Sequence, residues 1–169
     1  MIVVIADDLT GAAEIGAVGL RYGLTAEVQT EFAPESNADL IVIDTDTRSM
    51  PGSEAAAEVE RVVGQVLQHS PELLFKKVDS VLRGPVLAEL TALLRATGVP
   101  RLLLVPANPS LGRVIRDRNY YVDDVHWTSS LFERTSSSWW FLSYTFVGTV
   151  FLHSVCCVIP LYTGAEEHE

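Results

Sequence analysis

Apolar residues are spaced along the chain in two alternating ways, as short unbroken runs and as helical stripes. Ile2 to Ala6 is a run of strand length, and "TGAAEIGAVGLRYG" after it puts Ala12, Ile15, Val18 and Gly19 on one helical face. "TAEVQT" predicts a short second strand. "DLIVID", residues 39–44, predicts a third that is apolar on both faces, as in parallel strands covered by helices. In "GSEAAAEVERVVGQVLQHS" apolar residues recur at Ala55, Val59, Val62, Val63 and Val66, with Ser53 as the expected N-cap and an end near Pro71. "ELLFKKV" predicts a fourth strand. "GPVLAELTALLRATG" predicts a helix with Pro85 in its first turn and Gly98 past its end, and "RLLLVPA" a fifth strand.

The order β-α-β-β-α-β-α-β predicts an α/β fold, an open, mostly parallel Rossmann-like sheet with helices on both faces. Ligands of such sheets bind beyond the carboxyl ends of the strands, where the strand order switches. Polar groups from separated segments fall on that rim. Asp7 and Asp8 follow the first strand, with Thr10 and Gly11 next; Asp44 and Arg48 follow the third. Lys77, Asp79, Ser80, Arg83 and Gly84 follow the fourth, and Asn108 and Arg113 the fifth. Lys76 and Lys77 point to opposite faces of their strand, so one of them is expected to reach the rim. Asp7 and Asp8 repel each other and need cationic company, expected from Arg83 and a lysine. Arg83, just before the next helix, is also placed to hold a carboxylate or phosphate.

The pattern changes after residue 125. Residues 1–125 read as one domain and 126–169 as an atypical apolar tail: Trp127, Trp139, Trp140, Cys156 and Cys157 all lie there, and no charged residue stands between Arg134 and Glu166. A membrane-spanning segment over 139–161, a set of buried strands, and a shifted reading frame each account for it. Codons for Val125-His126-Trp127-Thr128-Ser129 can be chosen so that the frame one base before His126 reads Pro-Leu-Asp-Glu.

The net charge of −10 argues against a nucleic-acid partner, because phosphate contacts need clustered Lys and Arg. Residues 1–155 hold no cysteine, and Met1 leads into a strand rather than a secretory leader, so a reducing, cytoplasmic setting is expected. Two site chemistries fit the rim. A receiver-like phosphoacceptor domain would use Asp44, but where it needs a lysine after the fifth strand this chain has "VPANPS". A polyhydroxy acid would use carboxylates and Asn108 for its hydroxyls, and Arg83 and a lysine for its acid group.

"IADDLTGAAEIG", "DTDTRSM", "KKVDSVLRGP" and "VPANPSLGRVIRDRNYYVDDV" together resemble the four-carbon acid sugar kinases, a family that takes in D-threonate, D-erythronate and 3-oxo-tetronate kinases. Val81 and Pro85 depart from the family pattern, which has Thr and Asn there. The resemblance implies an N-terminal sugar-acid-binding domain, with ATP and Mg²⁺ serving the full-length enzyme through a separate C-terminal domain missing here. It implies Asp8 as the catalytic base and Asp7, Thr10, Gly11, Asp44, Arg48, Lys77, Asp79, Ser80, Arg83, Gly84, Asn108 and Arg113 as substrate-binding, with no metal ligand. The partner is then a small sugar acid rather than a membrane, with pairing of chains left open. This chain alone is expected to turn nothing over; a non-catalytic binding module is the alternative.

Overall fold

A computed structural model describes residues 1–109, 112–117 and 119–126, and the backbone of 157–160. The elements run β1 (Ile2–Ala6), α1 (Leu9–Arg21), β2 (Ala26–Gln29), β3 (Leu40–Asp44), α2 (Gly52–Leu67), β4 (Leu73–Lys77), α3 (Val86–Thr97) and β5 (Leu102–Val105). After them come β6 (Arg113–Arg116), β7 (Asn119–Val122), β8 (Val125–His126) and β9 (Cys157–Pro160). The main sheet has the order β2-β3-β1-β4-β9-β5. β1 pairs in parallel with β3 and β4, and β2 with β3, while β9 lies antiparallel between β4 and β5. The first five strands thus form the expected parallel frame. The tail supplies one strand inside it; the other readings of 139–161 fall mostly outside the described residues. No helix among the described residues is long and apolar enough to cross a membrane.

Alternation along β1 separates two cores. Val3 and Ile5 face α2 and α3, in a cluster with Ile41, Ile43, Val59, Val62, Val63 and Leu90. Val4 and Ala6 face α1, with Ala12, Ile15, Leu40 and Val42. The four valines of α2, Val59, Val62, Val63 and Val66, are at most 1% exposed, and burying each contributes roughly 1.5–3 kcal/mol. Two helix starts differ from expectation. α2 begins at Gly52 behind Pro51 with no side-chain cap, so Ser53 lies inside the first turn; Pro85 is the residue before α3, not its first. In both, a proline occupies the N-cap and no side-chain bond closes the first turn. Gly98 does end α3, in the left-handed conformation at φ 69°, with its N–H bonded to Leu94 O.

Chain order reverses at β1: β3 lies on one side of it and β4 on the other. That is the switch point, and the loops after β1, β3 and β4 meet there.

Candidate functional site

Asp8 is the N-cap of α1, its Oδ1 accepting from Gly11 N at 2.9 Å. The register pairs Ala6 with Asp44, so the loop after β3 rises beside the loop after β1. Thr45 N and Oγ1 both donate to Ala6 O, and Arg48 N donates to Asp7 O at 3.1 Å. Arg48 then spans both acids. Its Nε and Nη2 donate to Asp7 at 2.9 and 3.0 Å, and its Nη2 and Nη1 to the two oxygens of Asp8, the first at 2.7 Å. Asp7 is 1% exposed, so its charge depends on this fork. The cation bonded to the pair, expected in Arg83 and a lysine, is therefore Arg48, while Arg83 stands near enough to Asp8 to feel its charge.

Arg83 itself turns back on Asp79, at 2.6 Å, and its side chain is 67% exposed. The loop folds around that carboxylate, with Val81 N and Arg83 N both donating to Asp79 Oδ2. Burial pushes the Asp79 carboxyl up, but the Arg83 guanidinium and these backbone amides outweigh it and hold it below the usual carboxylate range. Leu82 and Gly84 take left-handed conformations at φ 58° and 87°. At Gly84 a Cβ would lie 2.8 Å from Arg48 O, so only glycine lets the two loops touch.

Lys77 reaches the rim and Lys76 does not. Pairing of Ala6 with Lys77 puts the latter on the α1 face, where its Nζ lies 3.6 Å from Glu14 and donates to Val78 O. Across the crevice Asn108 and Arg113 exchange backbone bonds at 2.8 and 3.0 Å. Arg113 Nη1 donates to Ser80 Oγ, while its Nε is buried with no hydrogen-bond partner among the described residues. Tyr120, 1% exposed, donates to Ser80 O and so fastens β7 against the loop after β4.

These loops enclose a cavity of about 320 Å³ lined by Asp8, Thr10, Gly11, Glu14, Arg48, Lys77, Asp79, Ser80, Arg83, Asn108 and Arg113. Of the residues anticipated from sequence, Asp7, Asp44 and Gly84 stand behind the lining. Glu14 and Tyr120 were not anticipated. Glu14 had a signal, since it lies one helical turn after Thr10 and Gly11; Tyr120 had none. Arg48, Lys77 and Arg83 each have a carboxylate partner. Among the described residues Arg113 is the lining cation that lacks one.

Asp44 is 8% exposed and accepts from Asp46 N at 3.0 Å. Burial raises its carboxyl pKa; the Asp46 amide opposes this, and the charges of Asp46, Asp8 and Asp7 add to it. A folded-state pKa above the unfolded value means full stability below the unfolded value, about 3.9, and loss as pH rises through the folded one. Asp44→Asn is therefore expected to stabilise the protein at pH 7, and the gain should vanish below about pH 4. Urea titrations at the two pH values check this; an equal effect at both would show that charge is not its cause.

An open, mostly parallel sheet with a charged crevice at its switch point defines a doubly wound α/β domain. The sugar-binding N-terminal domain family matches residues 2–138, and the chain belongs to that family. It is similar to D-threonate kinase from Salmonella typhimurium, at 35% identity over 126 residues, which cover 73% of this chain and 30% of that protein. D-erythronate kinase from Heliobacterium modesticaldum is 36% identical over 119 residues, or 67% of this chain and 27% of that one. A crystal structure of a Bordetella bronchiseptica protein, a domain-swapped dimer with bound citrate, superposes with a TM-score of 0.67 at 30% identity, covering 74% of this chain and 33% of that one. The chain thus spans about a third of the length of these relatives.

Proposed function

We propose that this chain binds a four-carbon sugar acid in the crevice and forms the acceptor side of an ATP-dependent kinase that phosphorylates a hydroxyl of that acid. The observation that carries the reading is Arg113. Arg48, Lys77 and Arg83 are each held by a carboxylate, and among the described residues Arg113 is the lining cation that has none. In a chain of net charge −10, that is a local invitation to an anion. Arg113 is proposed to take the ligand's carboxylate, a geometry suited to its planar fork. Asp8, Asp79, Ser80 and Asn108 are proposed to meet the hydroxyls.

Asp8 is the proposed base. Its Oδ1 is occupied by Gly11 N and Arg48, but among the described residues Oδ2 accepts from Arg48 alone and retains a lone pair for an acceptor hydroxyl. Arg48 fixes that carboxylate's direction, and positioning of this kind is the main contribution a protein makes to phosphoryl transfer. The names of the relatives support the acid class, and citrate in the Bordetella protein supports a carboxylate-bearing ligand.

ATP and Mg²⁺ are proposed for the full-length enzyme. The described residues here do not fit a resident metal: no group of three His, Cys, Asp or Glu converges, and Asp7, Asp8 and Asp79 are turned to guanidinium groups. Nucleotide binding is accordingly proposed for the two thirds of the relatives that this chain does not match. A cytoplasmic setting and pairing of chains complete the proposal, the latter supported by the dimeric Bordetella structure.

Calorimetric titration of the chain with D-threonate and D-erythronate, with erythritol as a control of matched hydroxyls and no charge, tests the reading. Heat from an acid and none from erythritol is expected. A folded sample that binds neither acid overturns it.

A further inference from the structure

Beneath the sheet, on the face away from the cavity, Lys76 is 0% and Glu89 1% exposed, and neither lines the site. Lys76 Nζ lies 3.3 Å from Glu89 Oε2. Removing two charges from water is costly, and well-packed apolar residues commonly serve stability as well or better. What the pair does can be read from its other contacts. Glu89 Oε1 accepts from Thr47 Oγ1, which lies 2.9 Å from Thr45 Oγ1, itself bonded to Ala6 O at the end of β1. Thr47 is wholly buried, and the next residue is Arg48.

We propose that Lys76, Glu89 and Thr47 form a buried brace that sets the position of Arg48, making Thr47 and Glu89 positioning residues for the cavity on the opposite face. The brace rests on the sugar-acid reading only for its effect on ligand affinity. Three features support it. The β3–α2 loop contains a left-handed Asp46 at φ 48° that needs outside support. The carboxylate of Glu89 comes from α3, so it ties this loop to a helix distant in sequence rather than to itself. Lys76 holds that carboxylate from β4, the strand whose next residue, Lys77, lines the cavity. Consecutive lysines thus serve the two faces, one under the clamp and one in the site.

The test is Thr47→Val, which removes the hydroxyl and keeps the shape, read by hydrogen exchange of the Arg48 Nε–H in ¹⁵N-labelled protein and by titration with D-threonate and D-erythronate. Exchange is expected to rise, and affinity to fall, about tenfold each. Thr47→Ser restores both. Val59→Ala, a truncation in the buried core of the same face outside the Lys76–Glu89–Thr47 chain, leaves both unchanged while lowering the melting temperature. The double variant Lys76→Met with Glu89→Leu removes both charges without orphaning either, and reproduces the rise in exchange if Thr47→Val does not fold. Unaltered Arg48 exchange in whichever of these two folds, or an equal change in Val59→Ala, overturns the brace. If the unmodified chain binds no acid, the sugar-acid reading falls, and Arg48 exchange alone decides the brace.

Discussion

Arg113→Gln is expected to weaken binding of a four-carbon sugar acid roughly ten- to hundredfold while leaving stability within about 1 kcal/mol, the loss typical of a hydrogen bond to a charged group. The asymmetry follows from where Arg113 stands. Among the described residues its side chain makes one hydrogen bond, to Ser80 Oγ, which the variant loses, while its backbone pairing with Asn108 and Val122 is kept. The buried Nε–H without a partner is removed as well, which relieves the folded state rather than harming it. Arg113→Lys should fall between, because it keeps the charge and loses the fork. Calorimetry beside urea unfolding separates the two effects. Affinity within twofold of the unmodified chain would mean that another group holds the carboxylate.

Arg48→Ala should give the opposite balance, with a large loss of stability accompanying the loss of binding. Removing one member of a buried pair leaves the other charged and dry, at a cost of about 3–5 kcal/mol. Asp7, at 1% exposure, fits that case, whereas Asp8 and Arg48 are each 20% exposed and water can partly screen them, so the lower end is expected. Adding Asp7→Asn should recover part of the loss by taking away the stranded charge. Urea unfolding of both variants checks this, and equal stability of Arg48→Ala and the unmodified chain would show that water replaces the fork.

Arg48 also shows where reading the sequence stopped. A like-charged pair at a strand end announces that a cation must come close, and Asp7-Asp8 does so without any structure. Choosing among Arg48, Lys77, Arg83 and Arg113 is another matter, since all four follow strand ends. The choice depends on β3 lying beside β1 with Ala6 opposite Asp44, which places one loop and not the others within a guanidinium's reach. Arg83, four residues after Asp79, is caught by that nearer carboxylate before it can reach Asp7. Glu14 had a signal in its place one turn after Thr10 and Gly11, but a glutamate on a helix also reads as solvated surface until Lys77 is set beside it.

The sequence by itself determined the five-strand, three-helix frame, the two-sided core and the edge at which the chemistry gathers. Those features depend on the spacing of apolar residues and on which residue ends a strand, and both are local. Only the tertiary structure decided which cation serves which acid, leaving Arg113 over for a ligand and putting Lys76 beneath the sheet with Glu89. Ion pairs form between residues far apart in sequence, Arg48 with Asp7 and Lys77 with Glu14 among them, and a charge takes whichever partner the sheet brings within a few ångströms.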